Sequence, residues 1–324
     1  MTQKTATSIA HPNIAFIKYW GNADPRLRLP SNASISMNLD GLETITMIKS
    51  NNDRNAHMLT INGVRQDMQK VNRISAFLEK AGEIYGFQGF LRVESRNNFP
   101  IGAGIASSAS AFAALAIALN EFFELGLIES EISALARLGS GSACRSIPAG
   151  FTEWSKGSSH QQSFASSIAQ KDHWNLHDCI FVVTSEEKTV SSTEGHLRAD
   201  TSPYQSTRVH DAPRRLDICR NAILNKDFEK LAAIIEQDSD MMYAVMMTSN
   251  PPINYWQPTS LLIMNAVREL RKKGVACAYT MDAGPNVHVI CTSSSLPVVK
   301  NTFQEFPGIQ KIFISKPGKA ARLV

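Results

Sequence analysis

Residues 100–109 read P-I-G-A-G-I-A-S-S-A and connect a predicted strand to a long Ala-rich helix. Gly102 and Gly104 allow the backbone to bend tightly and to approach a ligand closely. Ser107 and Ser108 lie at the helix start, where free N–H groups and the positive end of the helix dipole favour a phosphate. The segment does not have the G-K-[ST] ending of a Walker loop. It therefore predicts either a phosphate-binding loop or a Gly-rich turn with a serine cap.

Two more segments place a charged side chain beside aromatic or turn-forming residues. Residues 11–22 read HPNIAFIKYWGN, in which Lys18 precedes two aromatic residues. Lys18 is either a pocket cation flanked by rings or a lysine that extends from the core to water. Residues 282–286, DAGPN, directly follow a predicted strand. Asp282 is either a turn cap or a base that orients or deprotonates an attacking hydroxyl.

A third segment, residues 139–145, reads GSGSACR and consists mostly of small residues. Small side chains expose the backbone, and Ser140 and Ser142 offer hydroxyl groups. The planar guanidinium of Arg145 suits a carboxylate or a phosphate. The alternative is a flexible turn that ends in a surface arginine, and this segment taken alone leaves both interpretations open.

Composition excludes several classes of function. The 324 residues exceed what one hydrophobic core comfortably serves, so we expect two domains or one two-lobed domain. The net charge of +4 is small and no Lys/Arg block is present, which argues against a nucleic-acid-binding protein. The most apolar stretch, residues 110–127, is interrupted by Asn120, Glu121 and Glu124, so we expect a core helix and no membrane span.

Cysteine usage and the N-terminal residues bear on the compartment. Five widely spaced cysteines without a C-x-x-C pair favour free thiols in a reducing cytosol over a zinc site or a disulfide framework. The N-terminal residues lack the apolar core of a signal peptide. We therefore expect a cytoplasmic protein.

Hydrophobic periodicity predicts helices mixed with strands in both halves of the chain, which is typical of an α+β protein. The predicted helices cover residues 71–85, 107–125, 129–138, 214–224, 228–241, 261–273 and 297–306. The predicted strands cover residues 43–49, 90–95, 179–184, 276–281, 287–291 and 311–315. Polar and turn-forming residues concentrate between residues 185 and 213, where we expect a domain junction.

Together these segments resemble the GHMP kinase superfamily and, within it, the family of mevalonate diphosphate decarboxylases and phosphomevalonate decarboxylases. The matches follow the family order from about residue 10 to residue 290. The matching stretches are residues 13–21 (NIAFIKYWG), 29–36 (LPSNASIS), 100–109, 140–146 (SGSACRS), 191–195 (SSTEG), 251–255 (PPINY) and 282–286.

This resemblance implies a two-lobed α+β fold of the GHMP kinase type with the active site between the lobes. We expect an N-terminal nucleotide-binding lobe at residues 1–190 and a C-terminal lobe at residues 191–324. The implied reaction uses ATP and Mg²⁺ to phosphorylate the tertiary 3-hydroxyl of a phosphorylated mevalonate, after which phosphate and CO₂ leave together. The alternative is a kinase of the same superfamily that stops at the 3-phosphate. The family also implies a homodimer.

By the same resemblance, matching positions take the roles of the family's residues. Asp282 would orient or deprotonate the 3-hydroxyl, Lys18 would neutralise nearby negative charge, and Arg145 would hold the substrate carboxylate. The ATP phosphates would contact Gly102, Gly104, Ser107 and Ser108. The substrate site would be lined by Tyr19, Asn22, Ser140, Ser142 and Ser192. The Mg²⁺ ligands are not predicted.

Two departures from the family pattern concern the substrate. Asn22 stands where the family has a lysine that helps to hold the 5-diphosphate. Loss of such a charge-assisted contact, worth about 1.5–3 kcal/mol when well formed, favours a substrate with one phosphate fewer. We therefore expect mevalonate 5-phosphate as the substrate, unless Arg26 or Arg28 compensates and the 5-diphosphate is retained. His196 stands where the family often has methionine.

Overall fold

The structure, a computed structural model, describes residues 4–51, 56–99, 107–184, 186 and 189–324. Gly102 and Gly104, which were predicted to contact ATP, lie outside the described residues. The strands are β1 (Thr5–Ala10), β2 (Asn13–Ile17), β3 (Asn22–Asp24), β4 (Leu29–Pro30), β5 (Ser34–Asn38), β6 (Thr44–Ser50), β7 (Met58–Ile61), β8 (Val64–Arg65), β9 (Leu91–Asn97), β10 (Phe151–Trp154), β11 (Ala165–Ala169), β12 (Leu176–Val182), β13 (Cys277–Thr280), β14 (Val287–Thr292), β15 (Lys311–Ser315) and β16 (Arg322–Leu323). The helices are α1 (Met68–Tyr85), α2 (Ser107–Phe122), α3 (Glu129–Gly139), α4 (Ser192–Arg198), α5 (Gln205–Asn225), α6 (Phe228–Thr248), α7 (Pro258–Lys272) and α8 (Leu296–Phe303), with 3₁₀ helices at Gly141–Ser146 and Ala199–Thr201.

The strands form three larger sheets and one short ribbon. The first sheet has the order β16-β1-β6-β9-β7-β8, in which β7 and β9 pair in parallel. The second has the order β11-β10-β5-β2 and the third the order β13-β14-β12-β15, both antiparallel, while β3 and β4 form the ribbon. β12 pairs with β14 and β15, so the third sheet combines strands from both sides of residue 190. The division into lobes at that residue stays a prediction.

Helix α2 places Ser107 and Ser108 at its N-terminus. It is apolar on nearly all sides, which is typical of a helix surrounded by protein. It packs on β1 and β6 of the first sheet and against α3. At the contact with α3, a Cβ on Gly139 would lie 2.0 Å from the ring of Phe112, so this close approach requires glycine.

Strand β2 is enclosed by both halves of the chain. All five of its residues are buried. It pairs with β5 in the second sheet, and α5 and α6 pack against it. Since α6 also contacts β13 of the third sheet, Lys18, which directly follows β2, lies where the two halves meet.

The expected α+β class is confirmed, and each predicted helix and strand overlaps one in the structure. Among the predicted elements, the bounds differ most at α5, which was predicted from residue 214 but begins at Gln205 and continues through Pro213. Ten of the described strands, β1–β5, β7, β8, β10, β11 and β16, and helix α4 were not predicted. The stretch expected to be a polar junction instead contains α4 and the first turns of α5. Within the described ranges, no helix combines the length and the apolar character needed to cross a membrane.

Candidate active site

A cavity of about 280 Å³ between the two halves of the chain brings together most of the predicted site residues. The predicted residues that line it are Lys18, Tyr19, Ser107, Ser108, Ser140, Ser142, Arg145, Ser192 and Asp282. Arg28, Arg73 and His196 line it as well. Asn22 is not among the described lining residues. Segments far apart in the sequence thus converge on one site.

Lys18 and Asp282 form an ion pair in this cavity. Lys18 Nζ donates to Asp282 Oδ1 at 2.7 Å and to the carbonyl oxygen of Ala15 at 2.7 Å. The Lys18 side chain is 2% exposed, whereas that of Asp282 is 25% exposed. Burial lowers the pKa of the Lys18 ammonium below its ordinary value because it outweighs the attraction of Asp282 and Asp238.

The Asp282 carboxyl is held in its ionised form by the charges around it. Burial raises the pKa of this carboxyl, but Lys18, His288 and Arg145 together lower it more strongly, so the net shift is downward. The loop that carries Asp282 is fixed by Tyr243, whose hydroxyl contacts two carbonyl oxygens of the same loop at 2.9 and 2.6 Å. The cavity therefore contains a positioned carboxylate beside a positioned ammonium.

The backbone of Lys18 is held by three buried charged side chains from α5 and α6. Asp238 Oδ2 accepts from the Lys18 N–H at 2.6 Å, and Arg208 Nη2 donates to the Lys18 carbonyl oxygen at 2.8 Å. Arg215 Nε donates to Asp238 Oδ1 at 2.7 Å. Because both backbone polar groups of Lys18 are bound, this network fixes the point from which its side chain reaches Asp282.

Arg145 lies on the 3₁₀ helix that follows α3 and is buried. Its Nη1 donates to Ser34 Oγ at 2.7 Å, and its Nε and Nη2 both donate to Asn13 Oδ1, at 3.3 and 3.2 Å. Burial lowers the pKa of the guanidinium, but an arginine remains charged in a protein. Since these partners are neutral, the positive charge of Arg145 is available to a carboxylate or phosphate in the cavity.

The aromatic residues that follow Lys18 pack against His196 of α4, Tyr19 by stacking and Trp20 at a tilt. The Tyr19 and His196 ring centroids are 4.1 Å apart, and those of Trp20 and His196 are 4.6 Å apart. Burial raises the pKa of the Tyr19 hydroxyl, which therefore stays protonated and donates to Asn22 Oδ1. The direct substrate contact expected of Asn22 stays a prediction.

A second, more apolar cavity of about 180 Å³ adjoins the first. Its apolar walls include Leu59, Ile61, Ile74, Val93, Phe112 and Leu115. Arg73, Ser107 and Ser108 line both cavities. Ser108 Oγ lies 3.3 Å from Ser140 Oγ, which links the start of α2 to the 139–145 segment. The two cavities suit a ligand with a flat apolar base at one end and a phosphate chain that crosses at the two serines.

Comparisons with known proteins agree with this geometry. Residues 10–165 match the family model of the diphosphomevalonate decarboxylase-like N-terminal domain, and residues 179–319 match that of the mevalonate 5-diphosphate decarboxylase C-terminal domain. The chain belongs to the diphosphomevalonate decarboxylase family.

Relatives in this family cover nearly the whole chain. The diphosphomevalonate decarboxylase of Candida albicans is 38% identical over 87% of this chain and 83% of its own length. The solved mevalonate diphosphate decarboxylase of Enterococcus faecalis has a TM-score of 0.92 and 35% identity, covering 100% of this chain and 99% of its own. A solved structure in complex with MVAPP, AMPPCP and magnesium has a TM-score of 0.94 and 36% identity, with coverage of 100% and 99%. The GHMP-type fold and the role as an ATP-dependent carboxy-lyase are thereby confirmed.

The residues at the junction of the two cavities in this diphosphomevalonate decarboxylase family member fit Mg²⁺ bound together with a nucleotide. In the part of the chain that the structure describes, no group of three His, Cys, Asp or Glu residues is arranged to hold a metal ion. Mg²⁺ commonly binds through few protein oxygens together with substrate phosphates. The hydroxyls of Ser107 and Ser108, at the junction of the two cavities, would supply such oxygens.

Arg73 and His196 line the cavity but were not predicted as site residues. Arg73 lies on α1 next to Ile74, and the only available signal was a cation beside an apolar helix face, which is usually solvated. His196 directly follows a matched motif, and its replacement of methionine was the available signal. Arg28, considered only as compensation for Asn22, lines the cavity and donates from Nε to the Leu138 carbonyl oxygen at 3.0 Å.

Proposed function

We propose that this chain uses ATP to phosphorylate the 3-hydroxyl of mevalonate 5-phosphate, and that the product loses phosphate and CO₂ to give isopentenyl phosphate. Decarboxylation is supported by the charged residues of the cavity and by membership of the family. The choice of the monophosphate is carried by one observation: Asn22 replaces the family's lysine, is bonded to Tyr19, and is not among the described residues that line the cavity.

In this proposal Asp282 orients the 3-hydroxyl. Lys18 holds Oδ1 of Asp282, which leaves Oδ2 to accept a hydrogen bond from the hydroxyl. A carboxyl with a lowered pKa is a weak base, and a loose phosphoryl-transfer transition state needs positioning more than early proton removal. Orientation of the hydroxyl is therefore the main role of Asp282. The hydroxyl proton passes to this carboxylate late, as the new O–P bond forms.

Lys18 and Arg145 provide the positive charge for the second stage. ATP supplies the phosphoryl group that makes the 3-oxygen a good leaving group, and Mg²⁺ screens the phosphate charges. Lys18, 2.7 Å from Asp282, lies beside the reacting oxygen and stabilises negative charge that develops there. Arg145 holds the substrate carboxylate through N–H donors. As CO₂ leaves, the electron pair of the broken C–C bond forms the double bond to the carbon that loses phosphate.

The nucleotide would occupy both cavities, with its base in the apolar one. The phosphate chain would pass Ser107, Ser108 and Arg73, which line both. Free N–H groups at the start of α2 favour phosphate at the same place. The related structure that contains AMPPCP and magnesium supports ATP and Mg²⁺ as the cofactors.

A second candidate substrate is mevalonate 5-diphosphate. The observation in its favour is that Arg28 and Arg73 both line the cavity and add two positive charges to it. Arg26 is not among the described lining residues, so Arg28 is the one of the two expected compensating arginines that faces the cavity. The relatives named above, one of them solved with MVAPP, also support this candidate.

The test is to measure ADP and CO₂ together with ATP, Mg²⁺ and, in turn, mevalonate, mevalonate 5-phosphate and mevalonate 5-diphosphate. We expect one CO₂ per ADP, with mevalonate 5-phosphate as the best substrate. ADP without CO₂ from any of the three compounds would identify a 3-kinase and refute the proposed decarboxylation.

We further propose a cytoplasmic homodimer. The cytoplasmic location is supported by the five cysteines, all of which are buried free thiols. The homodimer rests on the family resemblance. Light scattering of the purified protein at several concentrations tests it, and a mass near 36 kDa at all of them would refute the dimer.

A further inference from the structure

Arg28 places a positive charge in the cavity from the same short ribbon that carries Asn22, the residue that replaces the family's lysine. It lies directly before β4, which pairs with β3, and β3 begins at Asn22. Its side chain is half-buried and lines the first cavity. Arg26, on the same turn, is exposed and is not among the described lining residues. The ribbon therefore presents its positive charge to the cavity from residue 28 and not from residue 22.

Hydrogen bonds fix the turn that carries Arg28. The N–H of Leu27 donates to Asp24 Oδ1 at 2.9 Å, and the carbonyl oxygen of Leu27 accepts from Nε of the buried Arg137 at 3.1 Å. Arg28 itself has φ +52°, a left-handed conformation that is uncommon for a residue with a Cβ. The turn therefore sets the direction in which the Arg28 side chain leaves the backbone.

The guanidinium of Arg28 is anchored at one of its three nitrogens. Its Nε donates to the carbonyl oxygen of Leu138 at 3.0 Å, which leaves Nη1 and Nη2 as further donors. Within the described ranges, this partner is neutral and no acidic side chain forms an ion pair with Arg28. A fixed guanidinium that lines a cavity without an acidic partner suits an anion, and its planar edge suits two oxygens of one phosphate.

The surroundings of Arg28 place it at the substrate end of the cavity. Arg73 lines both cavities, whereas the described lining of the second cavity does not include Arg28. Leu138, which anchors the guanidinium, precedes the 139–145 segment, whose Ser140 lines the first cavity. Burial raises the pKa of the Tyr19 hydroxyl, and the charge of Arg28 opposes that shift, so the guanidinium acts on a predicted substrate residue.

We propose that Arg28 is a specificity-determining residue whose Nη groups bind two oxygens of the substrate's 5-phosphate. This proposal rests on the proposed function, because it takes mevalonate 5-phosphate as the substrate. One anchored guanidinium forms a bidentate contact with one phosphate group. Asn22 carries no charge, so a second phosphate lacks an equivalent partner on the ribbon. Arg28 thus selects for a phosphorylated mevalonate over mevalonate itself.

The test compares Arg28→Met with Arg28→Lys in substrate binding without ATP. Methionine keeps an unbranched apolar stem but has no charge, whereas lysine keeps the charge and loses the bidentate geometry. Titration calorimetry measures the binding of mevalonate 5-phosphate and, at millimolar concentration, of mevalonate. We expect Arg28→Met to weaken mevalonate 5-phosphate binding about 30-fold and mevalonate binding less than about twofold, and Arg28→Lys to weaken mevalonate 5-phosphate binding about threefold.

Two other arginines provide matched controls. Arg26→Met removes the same charge from an exposed position on the same turn, and Arg73→Met removes it from the proposed path of the ATP phosphates. Each variant should bind mevalonate 5-phosphate within about twofold of the wild type when ATP is absent. A loss in Arg73→Met as large as that in Arg28→Met would place the 5-phosphate at Arg73 and overturn the proposal.

The Arg28→Met variant can contradict the proposal in three further ways. Unchanged binding of mevalonate 5-phosphate would overturn it. Equal weakening of mevalonate and mevalonate 5-phosphate binding would also overturn it, because the effect would then come from a changed cavity. A larger loss for mevalonate 5-diphosphate than for mevalonate 5-phosphate would place Arg28 on the second phosphate and overturn it as well. Binding is read without turnover, so an absence of CO₂ release in the wild type refutes the proposed function separately.

Discussion

Two neighbouring groups of residues in the cavity differ in how they are built. The charged cluster, Lys18, Arg145 and Asp282, consists of ionised side chains fixed by buried hydrogen bonds. The aromatic cluster consists of Tyr19, Trp20 and His196, in which Tyr19 stacks on His196 and Trp20 packs against it at a tilt. The charged cluster agrees with the family's motifs, whereas the aromatic cluster includes a departure from them and lies beside Asn22, which is another. We propose from this difference that the charged cluster carries out the chemical steps and that the surroundings of Asn22 and the aromatic cluster choose the phosphate tail.

The largest expected effect comes from removing the charge of Asp282. Asp282→Asn keeps the size of the side chain but removes the carboxylate that accepts from Lys18 and that, in the proposed mechanism, accepts from the substrate hydroxyl. We expect kcat to fall about 10⁴-fold with little change in KM, since the loss concerns the transition state. Steady-state kinetics measure this, with Asp172→Asn on an exposed turn as the control. An Asp282→Asn variant with wild-type activity would contradict the role of the charged cluster in the chemical steps.

The second-largest effect concerns the buried ion-pair network that holds the backbone of Lys18. Asp238→Ala removes the buried carboxylate that faces Arg208 and Arg215, and leaves Arg215 with Asp211, a partly exposed partner. We expect the free energy of unfolding to fall by about 3–5 kcal/mol, because an uncompensated buried charge is costly. Urea denaturation measures this. The control is Asp217→Ala, which removes an exposed partner of Arg220 and should cost less than about 1 kcal/mol. Equal losses in the two variants would contradict the role given to the buried network.

The pH dependence of kcat follows from the lowered pKa values of the charged cluster. Burial lowers the pKa of Lys18 below 10.5, so rising pH removes its proton earlier than for an ordinary lysine. The lowered pKa of Asp282 keeps that carboxylate ionised down to at least pH 3.8. We expect kcat to fall about tenfold per pH unit above the pKa of Lys18, and any acid limb from Asp282 to have its midpoint below pH 3.8.

Lys18→Arg provides the control for this pH profile. An arginine does not titrate in this range, so the alkaline limb should move to higher pH or disappear. We expect kcat itself to fall, because the guanidinium has a different geometry from the lysine ammonium. An alkaline limb that remains at the same pH in Lys18→Arg would assign it to another group.

The smallest effect concerns the residue beside the aromatic cluster. Asn22→Lys restores the cation of the family pattern. We expect the ratio of kcat/KM for mevalonate 5-diphosphate to that for mevalonate 5-phosphate to rise about tenfold. Asn301 is an exposed residue of α8. Asn301→Lys adds the same charge away from the cavity and should leave the ratio unchanged. An unchanged ratio in Asn22→Lys would contradict the proposal that residue 22 distinguishes the 5-phosphate from the 5-diphosphate.

Hydrophobic periodicity predicted seven of the described helices and six of the described strands, whereas the roles of Lys18, Arg145 and Asp282 were predicted from the family resemblance. The start of α2 at Ser107 and the strand at Lys311–Ser315 agree with the prediction. The start of α5 was not predictable, since polar residues and Pro213 argue against a helix there. Tertiary contacts overrule that preference, because Arg208 and Arg215 must reach Lys18 and Asp238.

The contacts within the aromatic cluster were less predictable, because they also depend on tertiary packing. Nothing near His196 in the sequence indicates that it stacks on Tyr19, which lies 177 positions earlier. That contact depends on the close approach at Gly195, which only the folded chain reveals. Tyr19 itself was predictable as a site residue through the family motif, but its bond to Asn22 was not.

The most direct test of the division between the two clusters is the ratio of kcat/KM for mevalonate 5-phosphate to that for mevalonate 5-diphosphate in the wild-type enzyme. CO₂ release is followed at matched ATP and Mg²⁺ concentrations. We predict a ratio well above one, since Asn22 lacks the positive charge of the family's lysine and is bonded to Tyr19. A ratio below one would mean that Arg28 and Arg73 bind the second phosphate, and would contradict the proposal that the surroundings of Asn22 and the aromatic cluster choose the phosphate tail.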